Sequence, residues 1–387
     1  MLDRMTAALP RMLADLEELV RCESPSRDLA AVAVSADVVA RLGTERLGAE
    51  PERIVLDGRT HLRWRLGAGP ARVLVLGHHD TVWPIGSFEP VWSHADGVVR
   101  GPGCFDMKAG LVLAFTALAA LEDRDGVTVL VTGDEELGSP SSRELIEKEA
   151  LGCAAALVLE ASADGGALKT ARKGVSLYEV AVTGRAAHAG LEPGRGVNAG
   201  IELAHQVLAI AQLGDPERGT TVTPTLSAAG TASNTVPARA TVAVDVRVAD
   251  AAEQDRVDAA MRALRPVLPG AQLTVTGGPN RPPLAPDASA ALFDRAAALA
   301  RELGLPPLEG TSVGGASDGN FTAGVGVPTL DGLGAVGGGA HADHEHVLVD
   351  ALPGRAALLA ALVAELLAET GPSGGTNRAP DFGTARP

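Results

Sequence analysis

The sequence predicts an α/β fold: a mainly parallel sheet flanked by helices, interrupted by an inserted ferredoxin-like β-α-β-β-α-β unit. Three observations carry this. Short apolar runs rich in Val and Leu at Arg72–Gly77, Val127–Gly133 and Ala155–Leu159 alternate with helix-like segments, the pattern of covered parallel strands. Each run stops at His or acidic residues, namely His78-His-Asp80, Asp134-Glu-Glu136 and Glu160. That puts polar chemistry beyond the carboxyl ends of strands, where loops converge and ligands bind in open α/β sheets. After Lys173-Gly174 the rhythm changes to β-α-β-β-α-β, the order of the split βαβ unit.

Residues 11–22 carry Met12, Leu13, Leu16, Leu19 and Val20 at helical spacing, and a second helix is expected over 30–42. Strands follow over 53–56, 61–66 and up to His78. Asp106, after Gly101-Pro-Gly, precedes the apolar run 109–121 and is expected in a loop feeding a helix. Strand 127–132, helix 141–149 and strand 155–160 complete the first part. The inserted unit reads as strand 175–183, helix 196–213, strands 220–228 and 235–248, helix 251–268 and strand 272–276. Helix 288–303, Gly-rich loops, a short strand ending near Leu330, His341 and helix 352–369 follow. A site residue as late as His341 requires the last segment to rejoin the first. The expected division is therefore a discontinuous catalytic domain, 1–173 with 287–370, interrupted by a compact domain at 174–286. Residues 371–387, rich in Gly and Pro without apolar periodicity, are expected to be disordered.

With 387 residues the chain has enough material for about two domains. Its 46% hydrophobic and 21% charged residues give a globular composition. The formal charge of −15, without a visible basic patch, argues against a nucleic-acid partner. Cys22, Cys104 and Cys153 form no CxxC pair and read as small buried hydrophobes. No h-region follows Met1, and the apolar stretch 111–121 falls short of the roughly 20 residues of a membrane span, so a cytoplasmic protein without a membrane partner is expected.

His78, His341, Asp106, Glu160 and one of Glu135 or Glu136 make a metal-ligand set with one carboxylate to spare. Two metal ions about 3.5 to 4 Å apart need a carboxylate between them, and Asp106, alone in its loop, is the natural bridge. Neighbouring side chains on an extended backbone alternate, so Glu135 and Glu136 point apart: one can bind metal while the other takes a proton from metal-bound water and passes it to a leaving amine. Asp80, two residues beyond His78, is placed to accept the second imidazole N–H and fix the tautomer. A lone strand-end His or Glu is more often a cap, and the signal lies in their joint order. His79 is expected to pack or to face solvent, Glu345 to support His341, and His61, His94, His205, His344 and His346 to have no metal role.

The segments His78-His-Asp-Thr, Gly101-Pro-Gly-Cys-Phe-Asp106, Asp134-Glu-Glu-Leu-Gly-Ser139, Glu160, Arg185-Ala-Ala-His188, Asn234-Thr-Val-Pro237 and His341-Ala-Asp-His-Glu345 resemble the aminoacylase and carboxypeptidase family of co-catalytic zinc hydrolases. The glutamate carboxypeptidase (carboxypeptidase G) type is the nearest within it. The resemblance implies two Zn²⁺, with Co²⁺ or Mn²⁺ as substitutes. Asp106 would bridge, His78 and Glu160 would hold one ion, and Glu136 and His341 the other. It makes Glu135 the general base and Asp80 the orienter of His78. It implies a homodimer through the inserted domain, which also acts as a lid. His188 would reach the partner's site to stabilise the oxyanion, Asn234 and Arg247 would hold the substrate carboxylate, and backbone N–H groups around Gly338 would cradle the substrate. Met107 and Gly314-Gly-Ala-Ser-Asp318 depart from the family pattern, and a cis peptide after Asp106 is expected from it. Gly332-Leu-Gly-Ala-Val-Gly337 opens no helix and Gly310-Thr-Ser-Val-Gly314 follows no strand, so neither reads as a dinucleotide loop or a serine elbow.

The expected activity is release of a C-terminal amino acid, often glutamate in this family, from a small peptide or N-acyl amino acid. The alternatives are a deacylase of N-acyl amino acids or diamino acids, and a catalytically inactive metal-bearing binding protein. The retained Glu135 argues against the last.

Overall fold

The computed structural model describes residues 1–369, so the tail expected at 371–387 lies outside the described residues. Helices α1 (Leu2–Arg21) and α2 (Leu29–Leu47) lead into strands β1 (Glu52–Leu56), β2 (Arg59–Leu66) and β3 (Val73–His78). A short hairpin, β4 (Ser93–Ala95) and β5 (Val98–Arg100), precedes α3 (Ala109–Ala119), β6 (Val127–Thr132), α4 (Arg143–Ala150), β7 (Ala155–Val158) and β8 (Leu168–Arg172). The middle of the chain holds β9 (Gly174–Thr183), α5 (Ala199–Ala211), β10 (Thr221–Ala229), β11 (Arg239–Val248), α6 (Ala251–Arg262) and β12 (Gln272–Arg281). The last part holds α7 (Pro286–Glu302), β13 (Gly310–Val313), α8 (Gly319–Gly324), β14 (Thr329–Leu330), β15 (Gly337–Gly338), β16 (His346–Leu348) and α9 (Leu352–Ala368).

The main sheet has the order β1-β2-β6-β3-β7-β14. Strands β6, β3, β7 and β14 are parallel, while β1 and β2 form an antiparallel edge. Because side chains alternate across a strand, Val73 and Val75 enter the core under α1, α2, α3 and α9, whereas Leu74 and Leu76 pack with Ile146 of α4 and Phe321 of α8. Both faces are covered, which explains why these strands read as unbroken apolar runs. The chain segment Val349–Ala368 is long and apolar enough to cross a membrane, but α9 is a packed core helix of this layer.

α1 starts ten residues earlier than periodicity from Met12 indicated, continuing through Pro10 because Met5 extends the buried stripe of Met12, Leu16 and Leu19. α2 begins at its Asp28 cap, whose carboxylate accepts the Ala30 and Ala31 N–H groups at 3.0 Å, and ends at left-handed Gly48. The hairpin β4–β5 was not foreseen, being too short to show periodicity. It joins β16 and β15 in a small antiparallel sheet that ties the approach to Asp106 to the segment carrying His341.

The second sheet, order β10-β11-β9-β12, is antiparallel throughout, with α5 and α6 on one face and its own core of Val180, Val182, Val244, Val246 and Met261. α6 stops at Arg262 instead of 268, ahead of Pro266 and Pro269. β12 runs five residues past its expected end. Gly277-Gly-Pro279 interrupts the apolar alternation, but this stretch still pairs with β9 and carries Arg281 back to the first sheet.

Candidate metal centre and active site

Three parallel strands deliver the polar residues to one edge. His78 ends β3, Glu135 and Glu136 follow β6 in a tight turn, and Glu160 follows β7. Asp106 comes from the irregular turn ahead of α3, where the Asp106–Met107 peptide is cis. His341, at φ 60°, arrives from the loop after β15.

Asp106 faces both imidazoles with different oxygens. Its Oδ1 lies 3.5 Å from His78 Nε2 and its Oδ2 3.4 Å from His341 Nε2. His78 Nε2 is also 3.5 Å from Glu160 Oε1, and His341 Nε2 is 3.2 Å from Glu136 Oε2. His78, Asp106 and Glu136 form one group able to hold a cation, and His78, Glu135 and Glu160 another. Buried His78 Nε2 and Glu136 Oε1 have no hydrogen-bond partner, which is costly for polar atoms inside a protein and fits atoms reserved for a metal.

Four carboxylates face two imidazoles, and the proton affinities follow. Contact with Asp106 and Glu136 raises His341 to about 10, while burial raises Glu136 to about 7. Burial alone would raise Asp106, but the contacts with His341 and His78 hold it far below the usual carboxylate range. Burial would lower His78, yet Asp106, Asp80 and Glu160 push it well up. Such a cluster holds protons where a divalent cation would be more fully satisfied.

Glu135 stands apart from Glu136 as expected. Its Oε1 accepts a 2.8 Å hydrogen bond from Arg281 Nη2, and burial pushes its carboxyl well above the ordinary range, with Arg281 acting in the opposite direction. Arg281, missed in the sequence, also donates to Ser139 Oγ (3.0 Å) and to Asp318 Oδ1 (3.1 Å), and its guanidinium lies over the Phe321 ring. The available signal was a cation at a strand end directly before Pro282-Pro283. Arg172, held by Asp331 through bonds of 2.7 and 3.1 Å, sits 3.6 Å from Glu160 Oε2, and Lys169 lies on the same side.

Asp80 differs in detail from its expected role. His78 Nδ1 lies closest to the Asp80 carbonyl oxygen, at 3.0 Å, and 3.4 Å from the carboxylate. That carboxylate instead accepts Ser26 Oγ (2.6 Å) and the N–H groups of Glu135 (3.2 Å) and Glu136 (3.3 Å), so it fixes the turn that carries both glutamates. Glu345 also acts elsewhere than expected. Fully buried, it accepts N–H groups from Gly103 (3.0 Å), Phe105 (2.9 Å) and Asp106 (3.0 Å), plus Trp83 Nε1 at 2.7 Å, anchoring the Asp106 loop. His79 packs, its nitrogens bonded to Ser35 and Thr60, with burial lowering it to about 4.

The residues expected on the second sheet are not brought to the cluster within one chain. His188 Nδ1 accepts the N–H groups of Gly190 (3.1 Å) and Leu191 (3.0 Å), leaving Nε2 as the protonated nitrogen on an exposed ring. Asn234 is exposed beside Thr235, and Arg247 is held by Asp245 at 2.8 and 2.9 Å. Gly338 pairs with His346 in β15.

Residues 74–365 match Peptidase family M20/M25/M40. Carboxypeptidase G2 from Pseudomonas sp. (strain RS-16) is 34% identical over 279 residues, 69% of this chain, and the match spans 66% of that relative's length. The chain therefore belongs to Peptidase family M20/M25/M40, which makes it an enzyme of the metal-dependent hydrolase class. Solved structures share the fold. An aminopeptidase PepT from Bacillus cereus has TM-score 0.70 at 22% identity, covering 93% of this chain and 99% of that one. An M20 family metallo-carboxypeptidase from Sulfolobus solfataricus has TM-score 0.71 at 17% identity, covering 92% and 99%.

Proposed function

We propose that the chain is a di-zinc carboxypeptidase that hydrolyses an amide to release a C-terminal amino acid. The observation that carries this reading is Asp106 offering one oxygen to each of two imidazoles, as a bridging ligand must. His78 and Glu160 would hold one ion with Asp106, and His341 and Glu136 the other. Co²⁺ or Mn²⁺ would suit the same donors. When bound, the ions polarise the scissile carbonyl and lower the pKa of water.

Glu135 takes the proton from the attacking water and returns it to the leaving nitrogen. The water oxygen joins the carbonyl carbon, the C–N bond breaks, and a carboxylic acid and a free amino acid leave. Arg281 holds one oxygen of Glu135, which orients the carboxyl. Lys169 and Arg172 supply positive charge beside Glu160 for the terminal carboxylate, a need also met by Asn234 and Arg247 if the second sheet closes over the cleft. Backbone N–H groups around Gly338 would complete the cradle.

We further propose that residues 174–286 form a lid and dimerisation domain set into a catalytic domain of 1–173 and 287–370. Exposed Ile201 and Leu208 lie seven residues apart on one face of α5, and exposed Leu226 lies on edge strand β10, an apolar surface suited to a second copy. In that homodimer His188 would present its Nε2–H to the partner's developing oxyanion. The relative's name favours a carboxypeptidase, and glutamate as the released residue is what the family resemblance of the sequence motifs implies.

Elemental analysis of the purified protein should give two metal ions per chain. A panel of C-terminal Glu, Asp, Gly and apolar amides beside acetyl and succinyl amino acids should show chelator-sensitive hydrolysis of a C-terminal amide. Hydrolysis unaffected by metal removal would overturn the reading.

A further inference from the structure

Beside the cluster, on the Glu136 side, a cavity of about 880 Å³ opens between the start of α2, the loop after β3 and the turn after β6. Glu136 itself forms part of its wall. Leu29, Val82 and Ile85 converge there although they are 43%, 39% and 62% exposed, and Leu137 lies beside them. Single exposed aliphatics are ordinary, but three meeting in one hollow next to a reactive centre mark a binding surface. Among the polar groups nearby, Thr81 Oγ1 has no hydrogen-bond partner and Arg27 is exposed, whereas two others are already committed. Asp28 occupies the first free N–H groups of α2, and Ser26 donates to Asp80. The hollow thus offers apolar contact without an open set of backbone donors. Its volume falls within the range of roughly 300–1,000 Å³ usual for small-molecule pockets, well beyond the needs of an acetyl group.

The second group of the cluster, with Glu135 and Glu160, has the contrary character. Glu135 and Glu160 stand there with the cations Arg281 and Arg172. The leaving nitrogen must lie near Glu135, so the released amino acid and its carboxylate occupy the cationic side, and the acyl portion points across Glu136 into the cavity.

We propose that this cavity is the acyl subsite and that it selects an uncharged aliphatic or aromatic acyl group, which rests on the hydrolytic reading above. The test uses one leaving amino acid with N-acetyl, N-butanoyl, N-hexanoyl, N-benzoyl and N-succinyl caps on the metal-loaded enzyme. In wild type, kcat/KM should rise about fourfold per methylene buried from acetyl to hexanoyl. In the Val82→Ser/Ile85→Ser protein the hexanoyl-to-acetyl ratio should fall at least about tenfold, whereas Val55→Ser, at an exposed valine on β1, should keep the wild-type ratio. A wild-type series flat in chain length, or an unchanged ratio in the double variant, would overturn the proposal. So would preference for succinyl over butanoyl, because control would then lie with exposed Arg27 at the rim. Failure to hydrolyse every cap would instead strike at the hydrolytic reading itself.

Discussion

The edge of the main sheet and the second sheet hold their polar residues in opposite ways. At the edge, His78, Glu135 and Glu160 are buried, and each meets its partners within the same chain. Beside the second sheet the side chains of His188 and Asn234 are exposed and bond only near neighbours in sequence. A ligand set must be preorganised, and in the proposed one the ends of parallel strands supply His78, Glu136 and Glu160, while Asp106 and His341 come from a turn and a loop. In the proposed lid and dimer, groups that close over a substrate must be able to arrive, which a separate sheet on another chain would allow. Arg281 joins the two regions, running from the end of β12 to the Glu135 carboxylate.

The contrast breaks most sharply at Asp106. Asp106→Asn removes the shared carboxylate charge, so bound metal should be lost and turnover fall by at least about 10³-fold, read by elemental analysis and amide hydrolysis. His188→Ala should sharpen it: turnover should drop about 10²–10³-fold while metal content stays at the wild-type value, and metal loss would contradict the separation of roles. Glu345→Gln turns one acceptor of the Asp106 loop into a donor facing N–H groups, so metal affinity by chelator competition should weaken about 10–100-fold.

The smallest effect belongs to the second sheet alone. Bonds from Arg256, Thr220 and Arg218 lower Glu253 to about 2 from an ordinary value near 4.5. A depressed carboxyl stabilises the folded state above its unfolded pKa and loses that contribution as pH falls through its folded value. Glu253→Gln should therefore lower the midpoint of thermal unfolding near neutral pH, and the gap from wild type should close between pH 4.5 and about 2. Metal content should not change in this variant.

The candidate ligands were legible because strands that stop at acids and histidines are a local pattern, and the late position of His341 gave the expectation that the intervening unit is set in. The separation of Glu135 from Glu136 was expected from alternation on an extended backbone, whereas the pair lies in a short 3-10 turn, and resemblance assigned Glu135 the role of base. What remained hidden depends on long-range contact. Arg281 was obscured because Gly277-Gly-Pro279 breaks the alternation of β12, although pairing with β9 continues past it. Glu345 lies four residues from His341, yet its carboxylate serves the Asp106 loop, a contact across 239 positions that no spacing reveals. The Asp80 carboxylate likewise serves the Glu135 and Glu136 amides, a choice set by the fold of the turn.

The central claim is that the metal ligands and the base are separate groups on one rigid edge. Glu135→Ala, assayed together for metal content and amide hydrolysis, tests it most directly. The account predicts two metal ions per chain as in wild type, with turnover reduced by about 10²–10⁴-fold. Wild-type turnover in this variant, or loss of the metal along with the activity, would contradict it.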